Sequence, residues 1–464
     1  MQVSAIRKEA HDLMHEGTLA LSKITSNGIC IDVPYIKRTQ KQVQKQIQVE
    51  SDAITEYPEV RWWQRKYGER FNLNSNAQLS DVLFNHLGYE PPEKRTKSGA
   101  YKLDAEILEE ISEATGNEML GKLVHIWKLE KAHGTYLKGI LIETNNDGFL
   151  RPNFNLCLAR SYRSSSSNPN FQNQPNRDKE IKKYIRTAFI PRPGRQILEA
   201  DFSGSEVKCA CYYHKDPNMC AYLTDPTKDM HRDMAQQLYK LSNDEWNKPI
   251  RQAAKNKFVF PEFYGSYYKN VGPDLWKYAG INKLRIGKEA DGILLHEHLA
   301  QKGLGTVEKF TEHVRQTENH FWGERFPIYT QWKEDWWDRY NTQGYLDSLS
   351  GFRYKGLMRR NEVINYPVQG SSFHMLLWVL IQLQRWLERR SLGTLIIGQI
   401  HDSLVLDLVP AEKEIVMRKI YNLVTFRLQE HWSWIYFPMV IDAELAPINA
   451  PWTEKTEISF ADFQ

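Results

Sequence analysis

The stretch Gln196-Ile-Leu-Glu-Ala-Asp-Phe-Ser-Gly-Ser-Glu206 places an aspartate, Asp201, directly after a short apolar run. A second stretch of the same kind, Ile396-Ile-Gly-Gln-Ile-His-Asp-Ser-Leu-Val-Leu406, carries Asp402 about two hundred residues later. The apolar runs predict strands, so each carboxylate is expected where a sheet opens to solvent. Around His401-Asp402 apolar residues alternate with others on both sides, which predicts a presented turn with buried flanks. One aspartate at a strand end is commonplace. Two that converge from distant segments are what a hard divalent cation needs, and two Mg²⁺ ions about 4 Å apart drive in-line displacement at phosphorus.

A third element sits between them. In Arg251-Gln-Ala-Ala-Lys255 the i, i+4 spacing puts two cations on one helix face. The segment runs on into Asn256-Lys-Phe-Val-Phe-Pro-Glu-Phe-Tyr-Gly265, so cations lead directly to aromatics. A solvated helix face is the plain reading of the two charges. A phosphate grip beside a base-stacking surface is the sharper one, and it is what a nucleoside triphosphate requires. Together the three elements make the chain look like a nucleotidyl transferase.

Composition bounds this reading without deciding it. The 464 residues, 41 % of them hydrophobic, allow about three domains with real cores. A net charge of +4 does not itself indicate a nucleic-acid partner; local basic clusters carry more weight. The 14 tryptophans are expected mainly in cores. Cys30, Cys157, Cys209, Cys211 and Cys220 show no C-x₂-C spacing, so free, buried thiols in a reducing compartment are expected rather than a zinc site at Cys209, Cys211, His214 and Cys220. The charged N-terminal residues are unlike a signal peptide, and no apolar run approaches 18 residues. A cytoplasmic protein without membrane contact is the expectation.

Helical periodicity dominates the first 150 residues, notably 33–55, 79–87, 104–111 and 120–143, with a basic, breaker-rich loop at 91–99. Residues 161–177 are polar and loop-like; a linker is the bland reading, but their Arg, Asn and Gln content argues against filler. Strands are predicted at 184–189, 196–200, 395–400, 404–408 and 437–444, a helix at 411–430, and a helical, aromatic-rich block at 227–345. A β-containing module in two stretches therefore brackets a helical insertion.

At this point the residues become specific: the chain resembles the polymerase portion of family A DNA polymerases, the group of bacterial DNA polymerase I and many phage replicases. The first palm signature appears as Asp201-Phe-Ser-Gly-Ser-Glu206, the fingers signature as Arg251, Lys255, Phe260 and Tyr264-Gly265, and the second palm signature as His401-Asp402-Ser403. Two further motifs match at 163–175 and 364–370, and Asp104-Ala-Glu-Ile-Leu and Lys131-Ala-His-Gly-Thr-Tyr136 are similar to the family's thumb. The resemblance implies an α+β right-hand fold, an antiparallel palm sheet with helical fingers and thumb. Its parts would be a helical lead at 1–48, thumb 49–150, palm 151–226 and 346–464, and fingers 227–345.

It also implies roles. Asp201, Asp402 and the main-chain carbonyl of Phe202 would hold two Mg²⁺ ions, with Mn²⁺ a possible substitute. Arg251, Lys255 and His231 would bind the dNTP phosphates, with Lys255 also protonating the leaving pyrophosphate. Glu206 would exclude a ribose 2′-hydroxyl, Phe260 would pack on the incoming sugar and base, and Tyr264 would stack by the templating base. Arg163 and Gln369 would probe minor-groove acceptors shared by all four base pairs. Asn365, Arg177 and His401 are further expected DNA contacts, and Lys94, Arg95 and Lys97 would hold duplex phosphates unless their loop is merely solvated. Primer-template DNA and dNTPs are the expected partners of a monomer of phage type. A separate exonuclease, helicase or processivity factor is a further possible partner, in a bacterial host if phage-encoded.

Departures bear on chemistry. Ser403 stands where the family has glutamate. One extra residue lies between Lys255 and Tyr264, and Pro261 falls inside the helix, which predicts a kink and leaves Phe258 as an alternative to Phe260. The stretch 268–307 is longer than the family needs and has no role from sequence. About fifty residues precede the thumb, so no proofreading domain is expected; Asp104-x-Glu106 and Asp442-x-Glu444 imitate an exonuclease motif and are read as decoys. The rival readings are a single-subunit RNA polymerase, which Glu206 opposes, and a catalytically inactive DNA-binding accessory subunit, which the retained Asp201, Asp402, Arg251 and Lys255 oppose.

Overall fold

A computed structural model of the chain describes residues 7–92, 95–97, 99–176, 178–287 and 292–463. Helix α1 (Lys8–Asn27) buries Ala10, Leu13, Ala20, Leu21 and Ile24, a single stripe at helical spacing. Helix α2 (Val33–Ile54) starts where the Asp32 carboxylate accepts the amide of Tyr35 at 2.8 Å. Helices α3 (Ala105–Thr115) and α4 (Glu118–Lys131) follow, and the latter continues through a π segment into Lys138–Glu143. The residues of α3 and α4 that face each other form an apolar core with Ile54, Trp63, Leu79 and Leu83, separate from the main one.

After this helical part comes the sheet. Strand β1 (Gln196–Phe202) is its centre, and β2 (Leu395–Ile400), β3 (Ser403–Leu408), β4 (Ile441–Leu445) and β5 (Thr456–Ile458) complete it in the antiparallel order β5-β4-β1-β3-β2. Between β1 and β2 the chain leaves the sheet through α5 (Ser205–His214), α6 (Met230–Tyr239), α7 (Lys248–Ala254), α8 (Tyr268–Ile281) and α9 (Val307–Asn319). It returns through α10 (Pro327–Gln343) and the 30-residue α11 (Arg360–Arg389). The split module expected from sequence is thus what the chain forms.

Helix α11 lies across the structure's centre because small residues permit it. A Cβ on Gly370 would stand 2.0 Å from the Tyr354 hydroxyl and 2.6 Å from the Ser161 carbonyl. This contact seats α11 against the segment carrying Arg163. Residues 161–176 are therefore no linker: Ser165–Ser167 pairs with Asn153–Asn155, and Gln399 Oε1 accepts from Ser164 Oγ and Gln172 Nε2, both at 2.6 Å.

Three expectations need correction. Residues 184–189 are the end of a helix, Lys179–Arg186, and only Phe189–Ile190 is strand. Asp178 caps that helix and Ile181 and Ile185 bury one face, a period that a window opening at Tyr184 misses. The last long strand begins at Ile441, not at 437. Cys211 and Cys220 are not free thiols but a disulfide. The chain reverses between α5 and the helix Pro217–Thr224, which brings their Cα atoms to 6.2 Å; Cys30, Cys157 and Cys209 remain free. Among the described residues no helix is long and apolar enough to cross a membrane.

Candidate active site

Asp201 and Asp402 meet at one end of the sheet. Ser403 pairs with Asp201 in register, and the Phe202 amide donates to the Asp402 carbonyl at 3.0 Å, so the two aspartates are stitched together through backbone. His401 and Asp402 form a two-residue turn between β2 and β3, with His401 in the left-handed region (φ 48°), which histidine tolerates better than most residues. Gln399 Nε2 braces the turn at the His401 carbonyl (2.6 Å), and Ser205 Oγ donates to Asp402 Oδ2 at 2.7 Å. Burial, then Asp402, Glu199 and Asp442, push the Asp201 carboxyl up to about 7.

That third neighbour was discounted from sequence. Asp442 lies opposite Asp201 across β4 and β1, on the same sheet face, and so belongs to the acidic end of the sheet. Its mimicry partner Glu444 lies two residues deeper and pairs with Lys455, as does Glu199. Asp104 and Glu106 prove unrelated to this site: Asp104 caps α3 and Glu106 pairs with Lys257. Where the family has a glutamate, Ser403 Oγ donates to Glu199 Oε1 at 3.2 Å.

The residues expected to grip phosphate come from α6, which carries His231, and from α7 and its continuation, which carry Arg251 and Lys255; Lys255 interacts electrostatically with Asp201 and Asp402. Asn247 caps α7 by accepting the Ile250 amide at 3.1 Å, fixing the helix that presents Arg251 and Lys255. Arg251 Nε donates to Asp229 Oδ2 at 2.7 Å, and Asp229 also caps α6, so one carboxylate ties both helices. His231 is pushed down to about 3 by burial and by Lys255 and Arg251, and its buried Nδ1 has no hydrogen-bond partner among the described residues. Burial and Arg251 also lower Lys255, while Asp201 opposes the shift.

The extra residue after Lys255 is absorbed by a π segment, Lys255–Val259, in which the Phe260 amide bonds the Lys255 carbonyl. The helix then resumes as Phe260–Phe263 with Pro261 at its second position, where a missing N–H is harmless. This settles the choice of aromatic. Phe258 is fully buried against Phe321 at 6.2 Å, whereas Phe260 lies edge-on to His231 at 5.7 Å, under Lys255 Nζ at 5.3 Å, and stacked on Tyr264 at 6.2 Å.

Glu206 closes the ring of residues. It accepts from Arg163 and from the Tyr264 hydroxyl, while Arg163 also stands 3.7 Å from Asp402 Oδ1. Asn365 of α11 donates to the Tyr264 carbonyl at 3.1 Å. Glu206, Phe260, Tyr264, Asn365 and Gln369 line one narrow pocket. Arg95 and Lys97 are exposed on their loop, away from this constellation, with Arg95 stacked over Tyr101 at 3.7 Å. Lys94 and Arg177 lie outside the described residues. Sequence reasoning missed Asp229 as a tie, Ser205 and Gln399; a lone glutamine within the apolar run before His401 was the available signal.

The profile of DNA polymerase family A matches residues 34–279. DNA polymerase I of Chloroflexus aurantiacus is 25% identical over 467 residues, covering 97% of this chain and 44% of its own length. The DNA polymerase of Escherichia phage T5 is 28% identical over 418 residues, covering 88% and 44%. This chain thus spans less than half the length of these curated relatives. Among solved structures, the POL domain of Pol1 from M. smegmatis, in complex with DNA primer-template and dNTP, superimposes with a TM-score of 0.73 at 21% identity, covering 94% of this chain and 70% of that one. The likeness is one of fold, a right hand of palm sheet, helical fingers and helical thumb. Because the matched profile spans more than half of the residues, this protein belongs to DNA polymerase family A.

Proposed function

We propose that the chain carries out template-directed, primer-dependent DNA synthesis, joining dNTPs 5′ to 3′. One observation carries the reading: the paired aspartates at the sheet end lie within electrostatic reach of Lys255, which itself neighbours Arg251 and His231, while Arg163 joins Asp402 to Glu206 and Glu206 accepts from Tyr264. In this reading residues 49–150 are thumb, 151–226 and 346–464 palm, 227–345 fingers, and 1–48 a helical lead. The phage T5 relative is compatible with a phage-type enzyme.

Divalent ions fit the residues at the sheet end. Burial beside Asp402, Glu199 and Asp442 raises Asp201 to about 7, a concentration of negative charge that a cation relieves. Asp201, Asp402 and the Phe202 carbonyl would hold two Mg²⁺, or Mn²⁺ in their place. When bound, the ions acidify the primer 3′-hydroxyl and shield the triphosphate. The chain's own groups do the rest. Arg251 and Lys255 bind the β- and γ-phosphates as charge-assisted donors, and the orphan Nδ1 of neutral His231 turns to the same oxygens. Lys255, its affinity for the proton lowered by burial, donates that proton to the departing pyrophosphate.

Phe260 packs on the incoming sugar and base. Tyr264 leaves Glu206 to stack beside the templating base, and Glu206 then stands against a 2′-hydroxyl. Arg163, Gln369, Asn365 and His401 contact the terminal base pairs. The basic loop with Lys94, Arg95 and Lys97, together with Arg177, holds phosphates further along. The test is primer extension with Mg²⁺: the chain extends a primer and Asp402→Ala abolishes extension. Absence of extension by the intact chain, or rNTP use equal to dNTP use, would falsify the proposal.

A further inference from the structure

Within the stretch 268–307, helix α8 and His296 reach helix α3. On α3, Glu106, Glu110 and Glu113 stand at i, i+4 and i+7 and so form one stripe. Lys277 of α8 pairs with Glu110, and Lys257 Nζ lies 3.3 Å from Glu106. One turn beyond Lys277, a Cβ on Gly280 would meet Glu113 Oε1 at 2.7 Å and His296 Cε1 at 2.8 Å, so both side chains approach the helix closely at this glycine. His296 is held there by stacking on Trp276 at 4.2 Å. Glu109, off the stripe, turns back to Lys128 of its own region at 3.1 Å.

The contact is carried by charge. Leu108 of α3 belongs to the core around Trp63, whereas Val271, Leu275 and Ala279 of α8 belong to the main core. Two bodies with separate cores, joined by partly exposed ion pairs that each contribute little, come apart and rejoin without unpacking. We propose that the α3 stripe and α8 form an ionic latch between thumb and fingers that closes the cleft into a ring around bound primer-template duplex. The function is retention: DNA threaded through a closed ring leaves only by its ends or when the latch opens. The proposal rests on the polymerase reading, which supplies the duplex in the cleft.

The test locks the latch covalently. Glu110→Cys and Lys277→Cys are introduced together with Cys157→Ser, which removes the exposed free thiol. Each single-cysteine variant serves as control. The chain is loaded on a primed single-stranded circle or on its linearised form, treated with a bis-maleimide, and washed at about 1 M salt, where phosphate contacts are screened. The expected result is retention of the cross-linked chain on the circle and its loss from the linear form. A chain cross-linked before DNA is added should no longer load on the circle. Equal loss from circle and line, unimpaired loading of the pre-linked chain, or failure of the cross-link to form overturns the latch. A chain that cross-links but never binds primed DNA overturns the polymerase reading, and the retention role with it.

Discussion

Replacing Ser403 by glutamate, the residue the family pattern has at that turn, is expected to damage this protein. The Ser403 hydroxyl is almost fully buried, and its single proton is shared between Glu199 Oε1 at 3.2 Å and the Ile400 carbonyl at 3.0 Å. Ser403→Glu removes that donor and sets a second carboxylate against Glu199. Two like charges about 4 Å apart at an effective dielectric of about 20 repel by roughly 4 kcal/mol. Lys455, already paired with Glu199 and largely buried, offsets about half of this, leaving about 2 kcal/mol. Forcing the longer side chain into the packed turn adds about 1–3 kcal/mol. The sum, roughly 3–5 kcal/mol, should lower the melting transition by roughly 3–5 °C in scanning calorimetry, at about 2.1 cal/mol/K of unfolding entropy per residue. Glu199→Gln in the same chain removes the repulsion and should recover about half of the loss. A Ser403→Glu variant that melts at or above the parent, or is not helped by Glu199→Gln, refutes the argument.

Acid should weaken the fold through two histidines. Burial pushes His214 and His374 down to about 3 from an ordinary 6.5, and His214 Nδ1 accepts the Asp216 amide at 2.9 Å, which a proton would forbid. Their unfolded forms take up protons below pH 6.5 while the folded forms do not, so the contribution of these two groups to stability falls on acidification from about pH 6.5 toward 3. At pH 5.5 each contributes a loss of roughly 1.4 kcal/mol, measurable as a denaturation midpoint that His374→Gln makes less pH-dependent. Gly370→Ala drives a methyl onto the Tyr354 hydroxyl and Ser161 carbonyl and should yield little folded protein, whereas alanine at Gly121, where the added Cβ meets nothing, should be silent in the same expression and melting tests. Glu206→Ala removes the acceptor of Arg163 and Tyr264. It should raise rNTP incorporation relative to dNTP by about tenfold or more, corresponding to about 1.4 kcal/mol; an unchanged ratio in competitive primer extension removes Glu206 from sugar selection.

How much of this was legible in the chain follows from how each feature is encoded. Asp201, Glu206, Arg251, Lys255 and His401-Asp402 lie in short, local patterns, and the strands and helices that present them have clear periodicity. Even the surplus residue before Tyr264 was countable in advance. Its outcome was not, because a proline and an insertion together admit either a kink or a π turn, and packing of Phe258 on Phe321 selects the latter. The disulfide was illegible for a related reason: only the reversal between two helices brings Cys211 to Cys220.

Cross-strand register hid the most. Asp442 faces Asp201, and Glu199, opposite Val405, reaches Ser403 diagonally across the same face, from positions that share no local motif with their partners. A residue-by-residue reading therefore finds a missing acid at position 403 and a spurious one at 442. The sheet turns both into one arrangement, since a strand alternates its side chains and antiparallel pairing brings same-face residues together. In this chain the acidic end of the palm is spread over β1, β4 and the His401-Asp402 turn rather than concentrated in that turn alone. The serine at 403 then follows from that placement: with Glu199 already beneath the turn, the neighbouring position carries a hydroxyl donor that satisfies that carboxylate, where a second acid would oppose it.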